Sequence, residues 1–317
     1  MLETSASISR QYIDAVSVFE ALEEALEEAA HVRGGMYWHA GPPASPDSKY
    51  LVRTTPAGAE TSLGARTVET EAIYARFTQR KRESVERVSG LQAALVQQQR
   101  LNRALPVGRV EPLVVALLAR LASTRLSEHF RVVGTHALYA YEAAAGVRLD
   151  AETLATRDID LLWDTRKRII FSTQLARVSS SMLGVLKKVD ATFRMPKQSN
   201  RSQKYTAVNK DGFEVDIIRR EQAGDDPHPI KLSNEDDDFW VAQARRANVL
   251  LDSPGFSAVI VATNGSMARM NTVHPATLVA FKRWMSTQTE REAMKRRRDA
   301  LQADAVQELL EKYLPQL

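Results

Sequence analysis

The stretch Thr156-Arg157-Asp158-Ile159-Asp160-Leu161-Leu162-Trp163-Asp164 sets two aspartates at the head of an apolar run, and this feature constrains the chain most sharply. Ile159, Leu161 and Leu162 have the character of a strand buried on at least one face. Alternation then puts Asp158 and Asp160 side by side on the opposite face. Like charges at neighbouring positions repel, and each raises the other's pKa. Such a pair is kept either because its face is wet or because something strongly positive sits on it. Trp163 is expected to pack, and Asp164 to end the strand.

Composition narrows the alternatives. The 317 residues suffice for two domains, or for one domain with helical extensions. No apolar run approaches the roughly 18–20 residues of a membrane span. The first thirty residues are acidic and helix-like, so they are not expected to be a signal peptide. The absence of cysteine excludes disulfides, thiolate zinc sites and a cysteine nucleophile, and fits a cytoplasmic location. The six histidines show no HxH or HExxH spacing, which argues against a histidine metal site. The net charge is only +4, yet Arg157 to Arg220 carries 14 Lys/Arg against 7 Asp/Glu. A local excess of that kind suits a polyanion, either a nucleotide triphosphate or a nucleic acid, although a solvated basic surface would look the same.

Periodicity divides the chain into three expected regions. Residues 1–110 form an N-terminal helical region with a small β-hairpin. Its parts are an amphipathic helix over 7–31, two extended pieces around a Pro/Gly/Ser loop at 41–48, and a polar helical stretch from Ser62 to Leu105. Residues 111–265 form a core that opens with an apolar helix. There follow a strand, a glycine turn and a helix through His129–Val147, the Asp-x-Asp strand, and a mainly helical 166–193. A hairpin turning at Asn209–Gly212 and an apolar strand at 256–262 complete it. Residues 266–317 form a C-terminal helical region, with a Pro-started helix and a charged final helix. The fold class is α+β, a short mixed sheet flanked by helices.

Three features then occur in chain order: Gly134-Thr135 at a strand-to-helix turn, Asp158-x-Asp160 on the next strand, and Asp216 on a later one. Ordered in this way, the trio resembles the catalytic signature of the nucleotidyltransferases related to DNA polymerase beta. A wider likeness, carried by "MYWHAG", "KYLVRTT", "VVGTHALYAYEAAAGV" and "TRDIDLLWD", is to a bacterial family of nucleotidyltransferase-fold proteins. It implies the fold and leaves the acceptor open.

The resemblance implies that Asp158, Asp160 and Asp216 bind Mg²⁺, with two ions expected and Mn²⁺ as an alternative. Such ions take hard oxygen ligands and pair about 3.5–4 Å apart. Asp216 would assist deprotonation of the attacking hydroxyl. Gly134 would let the backbone approach phosphate, and the Thr135 hydroxyl would donate to it. Here the chain departs from the commoner pattern, because threonine replaces Ser or Gly and the bulky His136 follows. His136 would either contact substrate or stack on the helix start. Arg157, directly before the pair, matches the arrangement in bacterial toxin-type nucleotidyltransferases. Lys187, Lys188, Lys204 and Lys282 are further candidates for neutralising a triphosphate, and family members often carry such a lysine on the helix holding Lys282. Glu214 shares the face of Asp216, as an auxiliary ligand or as the partner of a Lys or Arg. Arg297, Arg298 and Asp299 read more simply as a solvated helix face.

The activity these readings imply is transfer of a nucleoside monophosphate from an NTP to an acceptor hydroxyl, releasing pyrophosphate. The expected acceptor is an RNA or tRNA 3′ end. A protein side chain, a small molecule, or the target of a toxin held by a protein antitoxin are alternatives, and a non-enzymatic nucleotide-binding module is another. No membrane partner is expected.

Overall fold

The computed structural model describes the chain apart from residues 42–47, 180, 197–204 and 237. It comprises two compact units, Gln11–Leu101 and the combination of Met1–Arg10 with Asn102–Leu317. Most of the expected loop at 41–48, and Lys204, lie outside the described residues.

The chain opens with β1 (Leu2–Glu3) and α1 (Ala6–His31), where Gln11, Ala15, Leu22 and Ala25 recur at helical spacing to form the buried stripe. Three antiparallel strands follow in the order β2 (Gly35–Ala40), β3 (Lys49–Thr54), β4 (Glu60–Ala65). Leu51 and Val52 of the central strand are buried, and Trp38 packs against Tyr74 at 5.7 Å between ring centres. The polar stretch expected to be helical from Ser62 therefore begins as a strand, pairing with β3 as far as Ala65. The helix, α2 (Val68–Ala104), is a single element that starts only where Thr67 and Thr70 cap it. The Thr67 amide donates to Thr70 Oγ1 at 2.8 Å and the Thr70 amide to Thr67 Oγ1 at 3.3 Å, a reciprocal arrangement that satisfies two otherwise orphaned donors. Near its far end α2 meets α1 through Gln11 Nε2 and Gln98 Oε1, 2.7 Å apart.

The larger unit continues with α3 (Pro112–Ser123), β5 (Phe130–Val133), α4 (Ala137–Ala145), β6 (Val147–Arg148), α5 (Ala151–Leu154) and β7 (Asp158–Trp163). Next come α6 (Arg168–Val178), α7 (Met182–Lys187), β8 (Thr206–Val208), β9 (Glu214–Arg220), β10 (Ala242–Ala244) and α8 (Ala247–Asp252). The unit closes with β11 (Gly255–Val261), β12 (Met267–Val273), α9 (Pro275–Ser286) and α10 (Ala293–Lys312). Its central sheet runs β10-β9-β7-β5-β12-β11, with β8 on the first half of the β9 edge. The β10–β9, β9–β7 and β5–β12 pairs are parallel and the others antiparallel, so the sheet is mixed and the fold α+β.

The apolar strand expected at 256–262 does not lead directly to the helix at Pro275, because a further strand, β12, intervenes. Instead the chain turns at Asn264-Gly265, where Gly265 takes φ 87, and returns along β11. The boundary expected at residue 265 falls within this turn.

Strand alternation divides the core in two. Ile159, Leu161 and Trp163 of β7 join Val215 and Ile217 of β9 beneath α3, α6 and α7. Leu162 joins residues of α4, α8, α9 and α10 on the other face. Trp163 is 1% exposed, and Asp164 ends the strand by accepting from the Arg166 amide. Each large side chain buried in this way contributes about 1.5–3 kcal/mol, which fixes the register of β7 and with it the face that carries its two aspartates.

Candidate metal and nucleotide site

Because Ile159 and Leu161 are fully buried, Asp158 and Asp160 project from the opposite face of β7. The parallel register sets Asp158 beside Glu214 and Asp160 beside Asp216 on β9. Asp158, Asp160 and Asp216 offer carboxylate oxygens that all lie within 4.8 Å of one another. Thr156 Oγ1 donates to Asp158 and Thr206 Oγ1 to Asp216, so hydroxyls on both flanks orient the outer pair. Glu214 is exposed and has no ion-pair partner among the described residues.

The electrostatics follow from this crowding. Burial, then the charges of Asp158 and Asp216, push the Asp160 carboxyl up to about 7, against the opposing pull of Lys282 and Arg291. Asp216 is also raised, chiefly by burial. None of the three carboxylates forms an ion pair among the described residues. Three hard oxygen donors under mutual repulsion are what Mg²⁺ or Mn²⁺ requires, so the residues fit a divalent cation of that class.

Gly134 follows Val133, the residue paired with Asp160 across β5 and β7. It adopts φ 72, and a Cβ there would overlap Asp160 Oδ2. A glycine is thus required on two counts, for the turn and for the space Asp160 occupies. Thr135 is 6% exposed; its Oγ1 accepts from Gln302 Nε2 at 3.0 Å and keeps its own proton to donate. His136 is buried, its ring 5.9 Å from Tyr139 and 6.1 Å from Phe213, and burial lowers its pKa to about 4. The ring is therefore neutral at pH 7.

Lys282 lies on the inward face of α9, its ammonium 2.8 Å from Asp299 Oδ1. Arg291 Nε donates to Asp299 Oδ2 at 2.6 Å. Burial lowers the Lys282 pKa, opposed by Asp299 and by Asp160. Arg157 is exposed and borders the turn at Gly212, and Lys187, Lys188 and Arg297 are exposed as well.

Asp299 corrects the expectation of a solvated helix face, being fully buried. With Gln302, Ala303 and Val306 it occupies the inward stripe of α10. Gln302 and Arg291 were not anticipated. The available signal was the i, i+3, i+4, i+7 spacing that aligns Asp299 and Gln302 with Ala303 and Val306.

Among the described residues no helix is long and apolar enough to cross a membrane. The model of a family described as nucleotidyltransferase matches residues 113–317, which include every aspartate of the cluster together with α9 and α10. No curated protein and no solved structure matches the chain.

Proposed function

The chain belongs to the nucleotidyltransferase family, a family of transferase enzymes, and from that premise we propose that it moves a nucleoside monophosphate from an NTP to the 3′ hydroxyl of an RNA. The observation that carries this reading is the Asp158, Asp160 and Asp216 cluster beside the Gly134 turn. The acceptor oxygen bonds to the α-phosphorus, and the bond from that phosphorus to its bridging oxygen breaks. Pyrophosphate leaves with the electron pair, and the acceptor proton passes to Asp216 and then to solvent. Two Mg²⁺ ions, or Mn²⁺, held by the three aspartates would neutralise the triphosphate and acidify the acceptor hydroxyl. In this reading Thr135 and the amides after Gly134 bind phosphate oxygens, and Arg157 faces the incoming polyanion. Lys282 and Arg291 act from behind, favouring the ionised form of Asp160. The excess of 14 basic over 7 acidic residues between Arg157 and Arg220 supports an RNA acceptor over a small neutral one.

The test is incubation of the purified chain with total cellular RNA, Mg²⁺ and each α-labelled NTP in turn. Label should enter RNA, and Asp158→Ala or Asp216→Ala should abolish it. Label entering only protein or small molecules would reject the RNA acceptor, and undiminished transfer by both variants would reject the site.

A further inference from the structure

Beyond the acidic cluster, β9 carries a buried cation that the reaction does not use. Arg219 lies three residues past Asp216 and, by strand alternation, on the opposite face, beside Ile217 and the α6 side of the core. It is 1% exposed. Its Nη2 donates to the Pro227 carbonyl at 3.1 Å and lies 3.0 Å from His228 Nδ1, and neither partner is an anion. Its Nε is buried with no partner among the described residues. Asp226, the counter-charge that acts on it among the described residues, is engaged by Arg220 at 2.6 Å. A guanidinium drawn out of water without a paired anion is costly, and such a group is retained where a ligand completes it.

A cavity of about 220 Å³ adjoins this guanidinium. Arg168, at the start of α6, lines it with a second guanidinium that has no partner among the described residues, and Thr165 adds a hydroxyl. Asp225 and Asp226 also line it, and Asp225 is exposed and without a partner among the described residues. Two guanidiniums and a hydroxyl donor match the oxygens of one phosphoryl group. With Asp226 neutralised by Arg220, the unpaired Asp225 carboxylate repels a bare phosphate but accepts from the hydroxyls of its carrier. We propose that this cavity is a second ligand site, separate from the aspartate cluster, which binds a phosphorylated ribose. The phosphate sits between Arg168 and Arg219, and the sugar hydroxyls on Asp225. The volume accommodates the phosphate and sugar and leaves a base outside. The carrier is therefore a free phosphorylated sugar or one nucleotide of an RNA strand. The site does not depend on the proposed transfer reaction.

The experiment is calorimetric titration of the full chain with ribose 5-phosphate in EDTA, where metal-dependent binding is silent. Binding is expected, weakened about tenfold or more by Arg168→Glu. Arg219→Lys, which keeps the charge and loses the planar fork, should weaken it as well. Arg168 is exposed, so its variant reports binding even if changes at Arg219 disturb folding. Asp225→Ala should reduce affinity for ribose 5-phosphate and not for inorganic phosphate. A short oligoribonucleotide that competes with ribose 5-phosphate identifies a strand as the carrier; one that does not compete identifies the free sugar phosphate. Absence of binding by both ligands, or binding indifferent to Arg168→Glu, overturns the proposal.

Discussion

Two residues determine how tightly the acidic cluster is built. Gly134 leaves room for Asp160 and takes a backbone conformation that costs an L-residue about 1–2 kcal/mol. Gly134→Ala should therefore lower stability by about that amount. Displacing Asp160 by even a fraction of its reach should reduce nucleotide transfer by about a hundredfold; an active Gly134→Ala enzyme would show that the Cβ is absorbed elsewhere. Asp160 itself links stability to pH. In the folded chain it keeps its proton up to about pH 7, whereas an unfolded aspartate releases it near 4. Between these values the folded state holds the extra proton, so metal-free stability falls as pH rises through 7, by about 1–4 kcal/mol. Glu142, raised to about 7 by burial, contributes with the same sign. His136, lowered to about 4, acts in the opposite sense below pH 6.5, where the unfolded chain binds the proton instead. Urea unfolding from pH 5 to 8 separates these effects. Mg²⁺ should restore the loss near neutrality, and Asp160→Asn should remove the metal-sensitive part while leaving that of Glu142.

At the scale of elements, α10 supports the cluster from behind. Asp299 is the common partner of Lys282 and Arg291, and Asp299→Ala would leave two cations beside Asp160 without their counter-charge. Removing one partner from a buried ionic group typically costs about 3–5 kcal/mol. Lys282→Met should cost less, because Asp299 retains Arg291; thermal denaturation of the two variants gives the order, and equal losses would deny Asp299 its central place. The contrast with β7 explains what the sequence made legible. Asp158 and Asp160 were readable because period-two alternation ties them to Ile159 and Leu161, and their order with Gly134 and Asp216 is a local pattern. Asp299 was hidden because a charged residue on a helix is usually solvated, and its burial depends on partners 8 and 17 residues away. β12 was hidden for a related reason. Met267–Val273 lacks the β-branched density of a strand, and its pairing comes from the Asn264-Gly265 turn and from β11 and β5. Similarly, β4 buries no side chain and lacks the alternation of a strand, and its place is set by its pairing with β3.

At the scale of the whole molecule, the acidic cluster and both apolar core groups are assembled from residues of the unit that contains Asn102–Leu317. Gln11–Leu101 supplies none of these residues, so its removal tests whether the core folds and binds metal without it. The ends to be joined are close, because Gln11 and Gln98 are hydrogen-bonded where α1 and α2 meet. A short Gly/Ser linker in place of Gln11–Leu101 therefore imposes little closure entropy. The shortened chain should unfold in one cooperative transition and should retain the Mg²⁺-dependent gain in melting temperature that Asp160→Asn abolishes. Loss of cooperativity would mean that the core borrows stability from the excised unit. If the shortened chain keeps its response to Mg²⁺ but no longer labels RNA, the helices and three-stranded sheet of Gln11–Leu101 are needed for the acceptor, while the chemistry of the transfer resides in the trio on β7 and β9.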